Sequence, residues 1–224
     1  MLFLIWPVSI YWCWQDAKTS EHEDSGAEPS PEPLSMIGEI GIADTILSPG
    51  GKVRINLPDG VIGGARFSEC GRYRQALTRD WTAPGDTPHA VLFVGMNPSV
   101  AAADVSDAPC HRELMFAQDW EFTRYLKGNV LDWRATSPKD IPHDPQEACS
   151  PDNIPMLQEM ASESELIIMA YGKLHKRHHD ALERVIAAMV DSGKPLQCLG
   201  LNKDGSAKHP LYLRKDTKPF PFPV

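Results

Sequence analysis

The sequence predicts an α/β fold: a four-stranded parallel sheet with helices on both faces, preceded by a short β hairpin region. Three observations carry that reading. Short apolar runs recur at 90–94, 128–133, 165–170 and 196–201, each of strand length. Between successive runs lie segments whose apolar residues fall at helical spacing. Strands alternating with helices in this way pair in parallel, because each helix carries the chain back to the starting edge of the sheet.

The 224 residues suffice for one sizeable domain plus extra segments. Hydrophobic content of 42% and charged content of 23% are those of an ordinary globular protein. The net charge of −8 is uneven: residues 1–63 hold nine acidic and three basic side chains, residues 64–224 twenty-one and nineteen. A nearly neutral body disfavours tight non-specific binding to duplex DNA, which depends on neutralising phosphates. It leaves room for a local basic patch.

Residues 1–14, MLFLIWPVSIYWCW, are apolar but shorter than the roughly 20 residues of a membrane span. They also lack the basic start and small-residue cleavage site of a secretion signal. The stretch from Gln15 to Pro33 is rich in Glu, Ser and Pro and reads as disordered. Residues 1–35 are therefore expected to be a disordered or non-native extension, with Met36 as the start of the fold; a membrane-surface anchor is the alternative. Residues 36–74 read as a β-rich segment packed on the main domain. Its hairpin joins Thr45-Ile46-Leu47 to Lys52-Val53-Arg54-Ile55 through Pro49-Gly50-Gly51.

Residues 75–224 form the main domain. Ala90-Val91-Leu92-Phe93-Val94 is a strand buried on both faces. Leu114, Ala117 and Trp120 give helical spacing over 110–125, and a second strand is expected at 128–133. Ser150 and Pro151 suit the cap and first turn of a helix running to about 162. Glu165 to Ala170 is the third strand. Leu182, Val185, Ile186 and Met189 mark a helix over 175–192 with Gly193 at its C-cap, and the fourth strand follows at 196–201.

Every strand ends in polar groups, and parallel strands point their carboxyl ends the same way. In an open α/β sheet ligands bind at that edge. Gly95, Asn97, Pro98 and Ser99 follow strand one. Asp107 and Arg112 lie in the next loop and helix start, where Asp107 also suits a helix cap. Asn129 and Arg134 belong to strand two and its end. Tyr171, Gly172 and Lys173 follow strand three, and His209, Pro210 and Tyr212 form the last loop. The Asn97 amide suits positioning of a water or ligand group rather than strong base catalysis. His209 suits donation to a developing anion.

Lys173, His175, Lys176, Arg177, His178 and His179 form a basic run at a helix start, read as a solvated face or a phosphate site. His175 and His179 have the i, i+4 spacing of zinc ligands without the intervening Glu, so no metal is expected. Neither a Walker loop nor a Rossmann glycine fingerprint is present, and no cofactor is expected. The five cysteines are odd in number, contain no C-x-x-C pair and read as reduced thiols of a cytoplasmic protein. Cys110 beside His111 has no orienting third group for nucleophilic catalysis.

Five ordered blocks carry a resemblance: RYRQALTRDW, VLFVGMNPSVAAAD, NVLDWRATSPKDI, AYGKLHKRH and CLGLNKDGSAKHPLYL. Together they resemble the bacterial and phage family called domain of unknown function 1643, over about residues 70–220. The family's acidic-acidic-Pro-Thr stretch reads Asp107-Ala108-Pro109-Cys110 in this chain. A motif-level similarity extends to the uracil-DNA glycosylase superfamily. Gly95-Met96-Asn97-Pro98 matches its first motif and His209-Pro210 its last, with Leu211 replacing Ser.

That resemblance implies that Asn97 positions water, Asn129 reads a base edge and His209 stabilises the leaving base of an N-glycosidic bond. The closing loop lacks the Ser-Pro-Leu wedge for duplex DNA. The partner expected is therefore a nucleobase, a nucleotide or single-stranded nucleic acid. A non-catalytic binding module and a modified-base transferase are the alternatives.

Overall fold

The computed structural model describes residues 54–224. The expected extension over 1–35 and most of the expected hairpin around Pro49-Gly50-Gly51 lie outside the described residues. Among the described residues, nine strands and four α-helices follow one another. They are β1 (Ile55–Asn56), β2 (Ile62–Phe67), β3 (Arg74–Asp80), β4 (Ala90–Gly95), β5 (Val105–Ser106), α1 (Ala108–Asp119), β6 (Arg124–Asn129), α2 (Pro145–Ala148), α3 (Asn153–Glu163), β7 (Leu166–Met169), α4 (His179–Asp191), β8 (Leu196–Cys198) and β9 (Phe220–Pro221).

The main sheet has seven strands in the order β2-β3-β6-β4-β7-β8-β9, and β1 pairs separately with β5. The four strands expected from the sequence are its parallel centre, β6-β4-β7-β8. The expected four-stranded parallel sheet is thus corrected to a mixed sheet. Antiparallel β3 and β2 extend it beyond β6, and antiparallel β9 covers β8. Pairing of these flanking strands satisfies backbone groups that the outer parallel strands would otherwise leave open.

β4 is buried along its whole length and sorts its side chains between two cores. Val91 and Phe93 pack with Leu114, Phe116 and Ala117 of α1. Leu92 and Val94 pack with Leu157 and Met160 of α3 and Val185 and Met189 of α4. Helices therefore cover both faces. From β4 the chain crosses to β6 over the α1 face, then reverses across the sheet to β7 and β8 over the other face. A constant crossover handedness requires that change of face. The reversal makes the β4/β7 boundary the switch point, where a crevice opens at the carboxyl ends.

Two local expectations are corrected. The second strand begins at Arg124 rather than 128, because Arg124 to Asn129 pair residue for residue with Ala90 to Gly95. Its charged Arg124 and Lys127 hid it from an apolar-run reading. A Cβ at Gly128 would stand 2.3 Å from Leu157 Cδ2, so glycine lets α3 approach the strand there. Ser150 does not cap α3; its N–H and hydroxyl both turn to the buried Asp132 carboxylate, and Asp152 occupies the cap position. The expected helix over 175–192 is present as a 3-10 turn Lys176–His178 leading into α4, with Gly193 left-handed at φ 68° after it. Among the described residues, no helix is long and apolar enough to cross a membrane.

Candidate functional site

The switch point holds a cavity of about 460 Å³, a volume suited to a small molecule. Met96 after β4 and Lys173, Leu174 and His175 after β7 form two sides, and Pro138, Lys139, Ile141 and His143 from the loop after β6 form a third. Arg177 and His178 close it. Three cations and three histidines line this space, and no carboxylate does. Such a lining favours an anionic occupant.

The histidines differ in setting. His178 is only 3% exposed, and its Nδ1 has no hydrogen-bond partner. Burial, then the charges of Arg177, His175 and His143, push its pKa below the ordinary histidine value. His175 is exposed, and its Nδ1 accepts from the Arg177 backbone N–H at 3.2 Å and from Arg177 Nε at 3.0 Å. Desolvation, then Arg177 and Lys176, push its pKa down as well. A neutral His175 therefore carries its proton on Nε2. Among the described residues no cluster of His, Cys, Asp and Glu is arranged to hold a metal ion.

Asn97 follows the cavity-lining Met96 in the turn after β4. Asn97 Nδ2 donates to the carbonyls of Pro98 and Ala135, both at 2.9 Å. Both partners are acceptors, which fixes the orientation of the amide and leaves its carbonyl oxygen as the end able to receive a ligand's hydrogen. Pro98 also accepts from the Ala135 N–H at 2.9 Å, tying the turn to the strand-two end. The adjoining Ser99 hydroxyl is buried without a partner.

Asn129 lies on the α1 face at the last position of β6, in register with Gly95. It is 1% exposed, and neither Nδ2 nor Oδ1 has a partner. A buried polar atom left so costs about 1–3 kcal/mol, and such atoms mark places where a ligand or ordered water completes the bonding. Its backbone is gripped by Asn153 of α3, whose Nδ2 donates to the carbonyls of Asn129 at 3.2 Å and Val130 at 3.1 Å. Below it on the same face, Lys127 Nζ donates to Glu113 Oε1 at 2.7 Å and Tyr125 Oη to Glu113 Oε2 at 2.6 Å. Burial drives the Tyr125 pKa well above the ordinary value.

His209 sits against Gly172, where a Cβ would come within 3.3 Å of the His209 Cβ. Gly172 is left-handed at φ 70°, so glycine serves both the turn and the close approach. His209 Nδ1 accepts from the Leu211 N–H at 3.3 Å, which makes Nε2 the donor of a neutral ring. Pro210 is buried at the start of the 3-10 turn Pro210–Tyr212, and Tyr212 is 89% exposed. Tyr171 is buried edge-on to Phe222 with centroids 6.4 Å apart.

The remaining expected residues have structural partners. Asp107 caps α1 by accepting from the Cys110 N–H at 2.9 Å. Arg112 donates to the Leu213 carbonyl at 2.5 Å and lies 4.8 Å over the Phe116 ring. Arg134 donates to the Gly71 carbonyl at 3.1 Å. Cys110 is buried, and its thiol pKa is pushed up to about 12 by burial and then by Asp107, which suits packing rather than nucleophilic chemistry.

The sequence signature of a family described as a protein of unknown function, DUF1643, spans residues 72–211. The chain belongs to the DUF1643 family. No curated protein and no solved structure matches it.

The DUF1643 region includes every cavity-lining residue as well as Asn97, Asn129 and His209; Tyr212 falls just beyond it. The structure sets these expected residues in three places. Lys173 lines the cavity together with Met96 of the Gly-Met-Asn-Pro turn. Gly95 and Asn129 meet on the α1 face, and Gly172 meets His209. Asn97, Asn129 and His209 do not line the cavity. Lys139, Ile141 and His143 escaped sequence reading, since they lie in a loop with no regular pattern. Arg177 and His178 carried the signal of the basic run over 173–179.

Proposed function

We propose that this DUF1643 domain binds a nucleotide at the carboxyl edge of its sheet, with the phosphate in the cavity at the β4/β7 boundary. The observation that carries the reading is the lining: Lys139, Lys173, Arg177 and three histidines around about 460 Å³, with no carboxylate. Guanidinium and ammonium groups bind phosphate through charge-assisted hydrogen bonds, and His178 Nδ1 offers a further polar atom that lacks a partner.

Thermal denaturation in the presence of nucleoside 5′-monophosphates tests this. A ligand that binds only the folded state raises the melting temperature with concentration. The reading expects such a rise, absent in Lys173→Ala/Arg177→Ala. No rise with any nucleotide contradicts it.

A second reading, hydrolysis of an N-glycosidic bond, is favoured by the Asn129 amide with both ends unpartnered. In that reading the amide reads the base edge, the Asn97 carbonyl oxygen orients water, and His209 Nε2 donates to the departing base. Release of free base from uracil-containing single-stranded DNA or from nucleotides separates it from binding alone.

A further inference from the structure

We infer that Arg72, Trp133 and Arg134 form a stacking platform for a base of single-stranded nucleic acid. The inference rests on the nucleotide reading of the neighbouring cavity and extends its ligand from a free nucleotide to a strand. A second cleft, of about 210 Å³, is lined by Gly71, Arg72, Trp133 and Arg134. The exposed Arg72 guanidinium lies 6.0 Å from the centroid of the half-buried Trp133 ring. Tyr73 meets that ring edge-on, with centroids 5.5 Å apart and planes at 83°, which fixes the orientation of the indole.

Arg134 is held in place twice. Its Nη1 donates to the Gly71 carbonyl, and its guanidinium lies 4.7 Å over Phe67. Asp132, the nearest carboxylate in sequence, is 1% exposed and turned to Ser150. The cleft is therefore lined by a half-buried indole, the exposed Arg72 and the largely buried Arg134, with no carboxylate in its lining. That combination stacks bases and attracts the backbone of single strands, whereas a duplex keeps its base faces hidden.

The two clefts share one stretch of chain. Arg134 borders the smaller cleft, Ala135 accepts from Asn97, and Pro138 and Lys139 border the cavity. Four residues reach at most about 14 Å. A strand with roughly 3.4 Å per stacked nucleotide spans that with a few nucleotides.

The test is fluorescence anisotropy of labelled dT12, alongside thermal shifts with the mononucleotide, for wild type, Arg72→Ala, Trp133→Leu, Trp133→Phe and Lys173→Ala/Arg177→Ala. The expected result is dT12 binding at least about tenfold tighter than the mononucleotide. Arg72→Ala and Trp133→Leu should each lose about tenfold in dT12 affinity. Trp133→Phe should retain most of it, and mononucleotide shifts should stay unchanged in all three. Arg72 is exposed, so its removal tests the platform without threatening the fold. Equal affinity for dT12 and mononucleotide, or full dT12 affinity in Arg72→Ala, overturns the platform while leaving the cavity reading intact. Tight dT12 binding that depends on Arg72 but not on Lys173 and Arg177, with no mononucleotide shift in wild type, upholds the platform and removes the cavity reading.

Discussion

Gly95 and Asn129 face each other in register across β4 and β6, and a Cβ at Gly95 would stand 2.8 Å from Asn129 Oδ1. The same Cβ would stand 2.6 Å from Lys127 Nζ. The glycine of the Gly-Met-Asn-Pro turn thus keeps open the space beside two polar side chains that are both nearly inaccessible. Gly95→Ala is predicted to displace the Asn129 amide and the Lys127 ammonium together. Overpacking of this kind costs about 1–3 kcal/mol. Urea denaturation checks it; unchanged stability would show that both side chains yield freely.

The Lys127–Glu113 pair makes a second prediction. The two side chains are 6% and 0% exposed. Lys127→Met leaves a buried carboxylate with Tyr125 as its remaining neighbour in the network. Breaking one half of a buried pair costs about 3–5 kcal/mol, whereas removing both charges is far milder. Chemical denaturation of Lys127→Met, Glu113→Gln and the double variant is expected to show each single change as the more damaging. A double variant as unstable as the summed singles would contradict a coupled pair.

How much of this was legible in sequence divides along physical lines. β4 and β7 were read directly, because strands buried on both faces must be apolar throughout. β6 was displaced in the sequence reading, because its Lys127 and Arg124 answer carboxylates on α1, β3 and α3 that only the fold brings near. The flanking β3 and β9 were missed, since their sequences, RQALTRD and FP, carry no strand alternation, whereas β2 falls within the expected β-rich segment 36–74. The Gly-Met-Asn-Pro turn and Lys173 were legible as strand ends. The other wall of the cavity was not, because Lys139, Ile141 and His143 come from an irregular loop.

The histidines of the cavity predict a pH dependence. The His178 pKa lies below its ordinary value, through burial and then Arg177, His175 and His143. Unfolded histidine accepts a proton near pH 6.5, and the folded side chain resists it. Its contribution to stability is therefore complete above about pH 6.5 and is lost as the pH falls through the folded value. An anion in the cavity reverses the penalty on protonation. Stabilisation by sulfate, whose charge is constant in this range, is expected to be larger at pH 6 than at pH 8. His178→Asn should flatten that difference, as thermal denaturation at the two pH values would show.

Cys70 is predicted to be the first thiol alkylated among the described cysteines. It is exposed, and a hydrogen bond from Ser68, then Arg72, lowers its pKa. Burial instead raises those of Cys110, Cys149 and Cys198. Mass spectrometry after brief iodoacetamide treatment should find the label on the Cys70 peptide ahead of these three; earlier labelling of Cys149 would contradict the order.

The central claim is that the basic cavity at the β4/β7 boundary holds a nucleotide. Isothermal titration calorimetry with the common nucleoside 5′-monophosphates tests it most directly, on wild type and on Lys173→Ala/Arg177→Ala. Both cations line the cavity and neither has a role in the core. The account predicts one-to-one binding of at least one nucleotide by wild type, weakened at least about tenfold in the double variant, which is about 1.4 kcal/mol. Absence of binding to every nucleotide, or binding that the double variant leaves unchanged, would contradict it.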